Sequence, residues 1–245
     1  MLIAGIDLAA EPKGTAVSVV DWTGGKARLV ELQLNTTDAD LLEITKPSKM
    51  IGIDCAFGWP VDFVKFVNEH ASLSEESKDF DGGMISRRKL AYRETDRTTR
   101  ELTGRWPLSV STDRLGLTAM RCAGLLGRLN SHGRNTNRSG SGDVVEIYPG
   151  ATLRLWDFNT TDYRKSPAVR EVLLDNLLSK ASWLAVGEFR TQLIASCDAF
   201  DSLIASLATR AVALGKFSRP NPEQQLLAEI EGWVALPTVG IEELI

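Results

Sequence analysis

The sequence predicts an α/β fold built on one mixed five-stranded sheet, order 3-2-1-4-5, with only the second strand antiparallel. Three observations lead there. Two short apolar runs, LIAGIDL at 2–8 and MIGIDCA at 50–56, share a Gly-Ile-Asp ending. A Gly24-Gly25 step separates two alternating runs, and most of the chain after residue 150 has helical spacing.

The first run, residues 2–8, is almost continuously apolar, as expected of a strand buried on both faces. Residues 14–22, GTAVSVVDW, are β-branched and roughly alternating. Residues 27–34 set Val30, Leu32 and Leu34 against Glu31 and Gln33. A Gly-Gly turn between such runs signals a hairpin, so the chain opens as a three-stranded meander. Thr37 and Asp38 are cap candidates for a helix over 37–46. The second GID run, 50–56, follows that helix and is therefore expected to lie parallel to its neighbour. Trp59-Pro60 stops it, and a short helix carrying Phe63, Val64, Phe66 and Val67 comes next.

Residues 72–83 are acidic, end in Gly-Gly and read as loop. The Arg-rich stretch 87–102 and the stripe Leu115, Ala119, Cys122, Leu126 and Leu129 read as helices. Residues 131–142, SHGRNTNRSGSG, look too rich in Gly, Ser and Asn to pack and are expected to be mobile. VVEIY at 144–148 is the fifth strand. Helices are expected at about 166–185, 187–196, 198–214 and 223–230, before the closing EGWVALP at 231–237. With no linker in evidence, residues 1–245 read as one domain with helices on both faces of the sheet and a basic, mainly helical insertion at about 60–142.

Composition excludes several classes. With 43% hydrophobic and 24% charged residues the chain is ordinary for a globular domain. No run approaches the ~18 apolar residues of a membrane span, and the start of the chain lacks a basic leader. Three separated cysteines give no disulfide framework, and two histidines argue against a His-based metal cage. A reducing cytoplasm is the expected location. The net charge of −4 hides an asymmetry: residues 84–142 hold 12 Lys and Arg against 4 Asp and Glu, and the remainder holds 16 against 28. A basic block in an acidic chain suggests a surface for a polyanion, or else a solvated helix with Arg–Glu pairs.

In the expected topology strand order reverses between the first and fourth strands, where open α/β sheets bind ligands. Asp7 and Asp54 end those two strands. On parallel neighbours about 4.8 Å apart they would stand side by side, and would repel each other unless a cation lay between them. Oxygen ligands without His or Cys point to Mg²⁺ or Mn²⁺. The alternative is that each Asp caps the turn after its strand. Asp198 and Asp201, at i and i+3, share one face of the expected 198–214 helix; Asp198 suits an N-cap as well as a ligand role, while the small neighbours Ser202 and Ala205 would let this face approach the sheet. Glu146 on the fifth strand is a further carboxylate, or an exposed one without a role. Lys13, before Gly14, sits where a turn lysine would touch a phosphate or be solvated, although no GxxxxGK[ST] or GxGxxG motif is present.

Taken together, GIDLAAEPKGTAVSVVDW, IGIDCAFGWP, RETDRTTRELTG, VEIYPGATLRLW, CDAFDSLIASLATRAVALG and EGWVALP resemble, in that order, the uncharacterised family described as predicted nucleases with a ribonuclease H-like fold (domain-of-unknown-function family 429). The resemblance spans most of the chain. It implies the 3-2-1-4-5 mixed sheet and a divalent-metal site, Mg²⁺ or Mn²⁺, on acids of the first strand, the fourth strand and a late helix. Those positions are Asp7, Asp54 and Asp201, with Glu146 and Asp198 as further matches. It also implies a basic helix beside the cleft, around Arg93, Asp96 and Arg97. The expected activity is metal-dependent hydrolysis of nucleic acid, with Arg93, Arg97 and Arg100 on flanking phosphates. Two other classes stay open: a nucleic-acid-binding or scaffold protein with an idle acidic cluster, and an ATP-binding kinase-like relative. The latter usually has a duplicated sheet and a Gly-rich adenosine motif that this chain does not show.

Overall fold

The computed structural model describes residues 1–72 and 82–245. Strands β1 (Leu2–Asp7), β2 (Ala16–Thr23) and β3 (Lys26–Leu34) form the antiparallel meander. Helix α1 (Asp38–Thr45) is capped by Thr37, whose hydroxyl accepts from the Asp40 N–H. It leads to β4 (Met50–Asp54), parallel to β1. Next come α2 (Val61–Ala71), α3 (Gly83–Ala91), α4 (Glu94–Thr103) and α5 (Gly116–Ser131), before β5 (Val144–Glu146) joins the free edge of β4 in parallel. The remainder comprises α6 (Pro149–Leu155), α7 (Pro167–Lys180), β6 (Leu184–Ala185), α8 (Arg190–Ala195), α9 (Cys197–Ala213) and α10 (Gln225–Glu231).

The sheet has six strands in the order β5-β4-β1-β2-β3-β6, one more than expected. The addition, β6, pairs parallel with β3 through Ala27 and Arg28. At two residues it is too short to leave an alternating pattern in the sequence. Other expectations are corrected as well. The stretch 87–102 is two helices, broken at Tyr92, where the backbone turns extended. The fifth strand ends at Glu146 because Pro149 starts α6. Residues 131–142 are packed: Ser139 and Gly140 are buried, the Asn137 side chain accepts from the Ser139 N–H, and the Arg138 carbonyl accepts from the Trp233 N–H. Of the loop expected at 72–83, residues 73–81 lie outside the described residues. No helix among the described residues is long and apolar enough to cross a membrane.

Strand alternation divides the core into two layers. Ala4, Ile6, Ile51 and Ile53 face the layer that holds Leu41 of α1 and Cys122, Leu125 and Leu126 of α5. Ile3 and Met50 face the opposite side, towards α9. By the same period of two, Gly5 and Asp7 on β1 and Gly52 and Asp54 on β4 also face α9.

The two glycines set how close that helix lies. A Cβ on Gly5 would collide with the Ser202 carbonyl and the Ser206 backbone, and one on Gly52 would collide with the Thr209 hydroxyl. The helix is also tied to the strands by hydrogen bonds: Ser18 Oγ donates to the Ser202 carbonyl at 2.9 Å and Ser206 Oγ to the Ile3 carbonyl at 3.1 Å. Gly5→Ala meets backbone that cannot step aside, so we expect a loss of about 3 kcal/mol and a fall in Tm of about 6–12 °C. Gly127→Ala on α5, where a Cβ meets nothing within 4 Å, is the control and should be neutral or stabilising by about 0.5–1 kcal/mol. Thermal melts of the two variants check both.

Candidate active site

Asp7 and Asp54 are register partners at the carboxyl ends of β1 and β4, beside the antiparallel β1–β2 pair. That is the switch point at which an open sheet leaves a crevice. A cavity of about 450 Å³ opens there, lined by Asp7, Asp54, Glu146, Asp198 and Asp201 from the sheet and α9. Leu8, Pro107, Leu108 and Leu115 supply apolar walls, and Arg93, Tyr148, Arg164 and Cys197 complete much of the rest. The fold thus brings all five expected acids to one place, but their surroundings differ.

Asp7 and Asp54 make no hydrogen bond or ion pair with the described residues, and both carboxyls are pushed upward. For Asp7 the causes are burial, then the charges of Asp54, Asp201 and Asp198, with Arg164 opposing. For Asp54 burial leads, followed by Asp201, and its carboxyl is pushed up to about 8. Two unpaired carboxylates half withdrawn from water are an unfavourable arrangement that a proton or a cation relieves.

Asp201 is already held. Tyr163 donates its hydroxyl to Oδ1 at 3.0 Å, and Arg164 approaches Oδ2 at 3.3 Å. Arg164 also donates from Nε to the Tyr163 hydroxyl at 3.1 Å. The Tyr163–Arg164 turn is fixed from behind by buried Arg170, which donates to the carbonyls of Tyr163, Arg164, Ile194 and Ala195. Burial raises the Asp201 carboxyl and Arg164 opposes that rise. Asp198 lies in the first turn of α9, but the cap is Ser196, whose hydroxyl accepts from the Ala199 N–H. Cys197 is pushed upward by burial and by Asp201, so its thiol stays protonated.

Glu146 and Arg93 do not fill the roles expected of them. Arg93 is a buried side chain that grips Glu146 with both Nη atoms, at 2.9 and 2.7 Å, and Asp96 with Nη2 at 2.9 Å. The Phe57 N–H donates to the same Glu146 carboxylate. Burial works against the Arg93 charge, and Asp96 and Glu146 outweigh it. Glu146, expected as a metal ligand, and Arg93, expected on a phosphate, are thus paired with each other. Asp96 also accepts from the Arg93 N–H, which is what starts α4 there and breaks the expected long helix.

The remaining basic candidates lie away from the cavity lining. Arg97 pairs with Glu94 at 3.0 Å, Arg100 donates to the Gly104 carbonyl, and Lys13 is exposed in its turn. Among the described residues no group of three or more His, Cys, Asp or Glu side chains is spaced to hold one metal ion. Asp7, Asp54 and Asp201 line one cavity, the first two without a hydrogen bond or ion pair among the described residues and the third held by Tyr163 and Arg164.

Sequence reasoning missed Tyr163, Arg164 and Arg170, which lie in and after a loop without a recognisable motif. It also missed Glu231. One carboxylate oxygen of Glu231 accepts from the Val61 N–H at 2.8 Å and the other from the Glu94 N–H at 2.9 Å. A single acid thereby serves the N-termini of both α2 and α4. Its carbonyl accepts from Arg93 Nη1, and Val234 just beyond it bridges to Glu146.

A family model described as "Protein of unknown function (DUF429)" matches residues 5–225. No curated protein and no solved structure matches the chain.

Two outcomes follow from this geometry. Arg93→Met leaves Glu146 and Asp96 buried without their cation and should cost about 3–5 kcal/mol, read as a loss of Tm or of folded protein. The pH response of the metal-free protein tests the pair. Between about pH 4 and 8 folded Asp54 keeps a proton that the unfolded chain has released, so stability falls as pH rises across that window. Asp54→Asn should flatten this part of the profile and, at pH 8 in chelator, raise Tm by about 2–4 °C for each kcal/mol gained.

Proposed function

The chain belongs to the DUF429 family of unknown function, and for this member we propose a divalent-metal-dependent phosphodiesterase that hydrolyses nucleic acid on a ribonuclease H-like sheet. The observation that carries the reading is the Asp7–Asp54 couple: two in-register carboxylates, unpaired among the described residues, at the switch point of the sheet. An all-oxygen couple with no imidazole beside it suits Mg²⁺ or Mn²⁺. A metal bound there would lower the pKa of a water and offset charge on the phosphate.

The protein's own groups have separate tasks. Asp7 and Asp54 hold the cation and keep their charge once it is present. Asp201, anchored through Tyr163, is the third carboxylate within the cavity. Arg164, half exposed beside it, offers its guanidinium to a phosphate oxygen. The oxygen of water bonds to phosphorus, the bond from phosphorus to the leaving sugar oxygen breaks, and one proton of that water ends on the leaving oxygen. The products are a phosphomonoester and an alcohol.

The Arg164–Asp201 ion pair favours one rival, a nucleic-acid-binding or scaffold protein whose acids are idle, because a guanidinium already neutralises part of the cluster. Incubation with labelled single- and double-stranded DNA and RNA, with Mg²⁺, Mn²⁺ or chelator, separates the two. We expect metal-dependent cleavage that falls at least ~100-fold in Asp7→Asn, as loss of a group acting in the transition state requires. Binding without cleavage under every metal condition supports the rival instead.

A further inference from the structure

The basic block that suggested a polyanion is divided: several of its arginines are tied to the protein's own acids and carbonyls, whereas Arg88, Lys89, Arg105 and Arg114 are exposed outside the cavity lining. Arg93 is sealed between Asp96 and Glu146. Arg97 and Arg100 are held by Glu94 and by the Gly104 carbonyl. Arg121 donates to Asp38, Thr15 and the carbonyls of Ala9 and Thr36. Arg128 shares Asp38 with it, and Arg134 is bound to Asp143 and to the carbonyls of Thr45 and Lys46. Among the described residues, Arg93 and Arg164 are the lysine or arginine side chains that line the cavity, and only Arg164 is exposed. A duplex needs a track of cations along its phosphates, and the cavity lining, with one exposed guanidinium, does not provide one.

The cavity itself has a different complementarity. Its volume of about 450 Å³ lies in the range of small-molecule sites, about 300–1,000 Å³. The acids stand on the sheet side, while Leu108 and Leu115 form an apolar wall and Tyr148 contributes an aromatic ring. Leu108 is 54% exposed, an apolar side chain at the mouth of an acidic pocket. Resting on the phosphodiesterase reading above, we propose that the unit this cavity takes is one nucleotide of a single strand. Its phosphodiester lies at Asp7 and Asp54, its base lies against Leu108, Leu115 and Tyr148, and Arg164 contacts a phosphate oxygen. Bases bind such apolar and aromatic walls with little regard to sequence.

The test compares a six-nucleotide single strand with a blunt 20-base-pair duplex in Mn²⁺, by fluorescence anisotropy and cleavage, over a range of salt. Binding of Mn²⁺ alone is measured separately by electron paramagnetic resonance. For the single strand, log K against log salt should have a slope near −1, the value for one or two phosphates, whereas a duplex track of six contacts would give about −5. Leu108→Asn, an uncharged change at an exposed position, should weaken single-strand binding at least tenfold, with Mn²⁺ binding measured on the same variant. Arg88→Ala/Arg105→Ala, at exposed positions outside the cavity lining, should change neither. The inference is overturned if Mn²⁺ binds and cleavage occurs, but the duplex is preferred with a steep salt slope and the double arginine variant loses binding. Failure of Mn²⁺ to bind, with no cleavage of any substrate, overturns the phosphodiesterase reading itself, and the two failures are therefore distinct.

Discussion

The close seat of α9 on β1 and β4 governs how Asp198 and Asp201 meet Asp7 and Asp54 in the cavity. It depends on the absence of side chains at Gly5 and Gly52, which lets backbone from Ser202 to Ser206 and the Thr209 hydroxyl lie almost against the strands. Gly and Asp stand two residues apart in each strand, so they share a face. The residue that admits the helix and the residue that meets its first turn are thus fixed together. Asp201 comes one residue before Ser202, the point at which the helix touches Gly5, and it is delivered to Asp7 and Asp54 by that contact. A wider helix–sheet spacing would leave Asp201 apart from the Asp7–Asp54 couple, which the strand register alone keeps together.

Charge in the molecule is organised in two contrasting ways. Around Arg93 it is closed: every carboxylate has a cation, and hydrogen bonds from Phe57 and the Arg93 backbone satisfy further oxygens. Buried ion pairs of this type add little net stability, but they are costly to break and hold their surroundings in one arrangement. Around Asp7 and Asp54 it is open, with repulsion and desolvation left uncompensated by the described residues. Unrelieved electrostatic strain of that sort clusters at functional sites. The contrast is sharp because both regions line the same cavity.

Much of this was readable from the chain. The repeated Gly-Ile-Asp ending fixed the parallel neighbours and their register, and the i, i+3 spacing of Asp198 and Asp201 with small residues behind them marked the face of α9. The fate of the arginines was not readable, because a basic block reports composition and not direction. Whether Arg93 meets solvent or Glu146 is decided by chain 53 residues away. The same holds for Tyr163, in an irregular segment, and Arg170, on α7, which act through tertiary contacts, and for β6, whose two residues carry no periodicity. Residues 131–142 have the composition of a free loop, yet Asn137 and Ser139 bond locally and Arg138 meets the tail, so polar side chains replaced the apolar contacts the sequence lacks.

Glu231 and Val234 tie the near-terminal segment into the base of the cavity, through the starts of α2 and α4 and through Glu146. This has a consequence for assembly. The pairing of β1 to β4 does not involve this segment, whereas Arg93 lacks one of its acceptors and α2 and α4 lack their shared anion until Glu231 is in place.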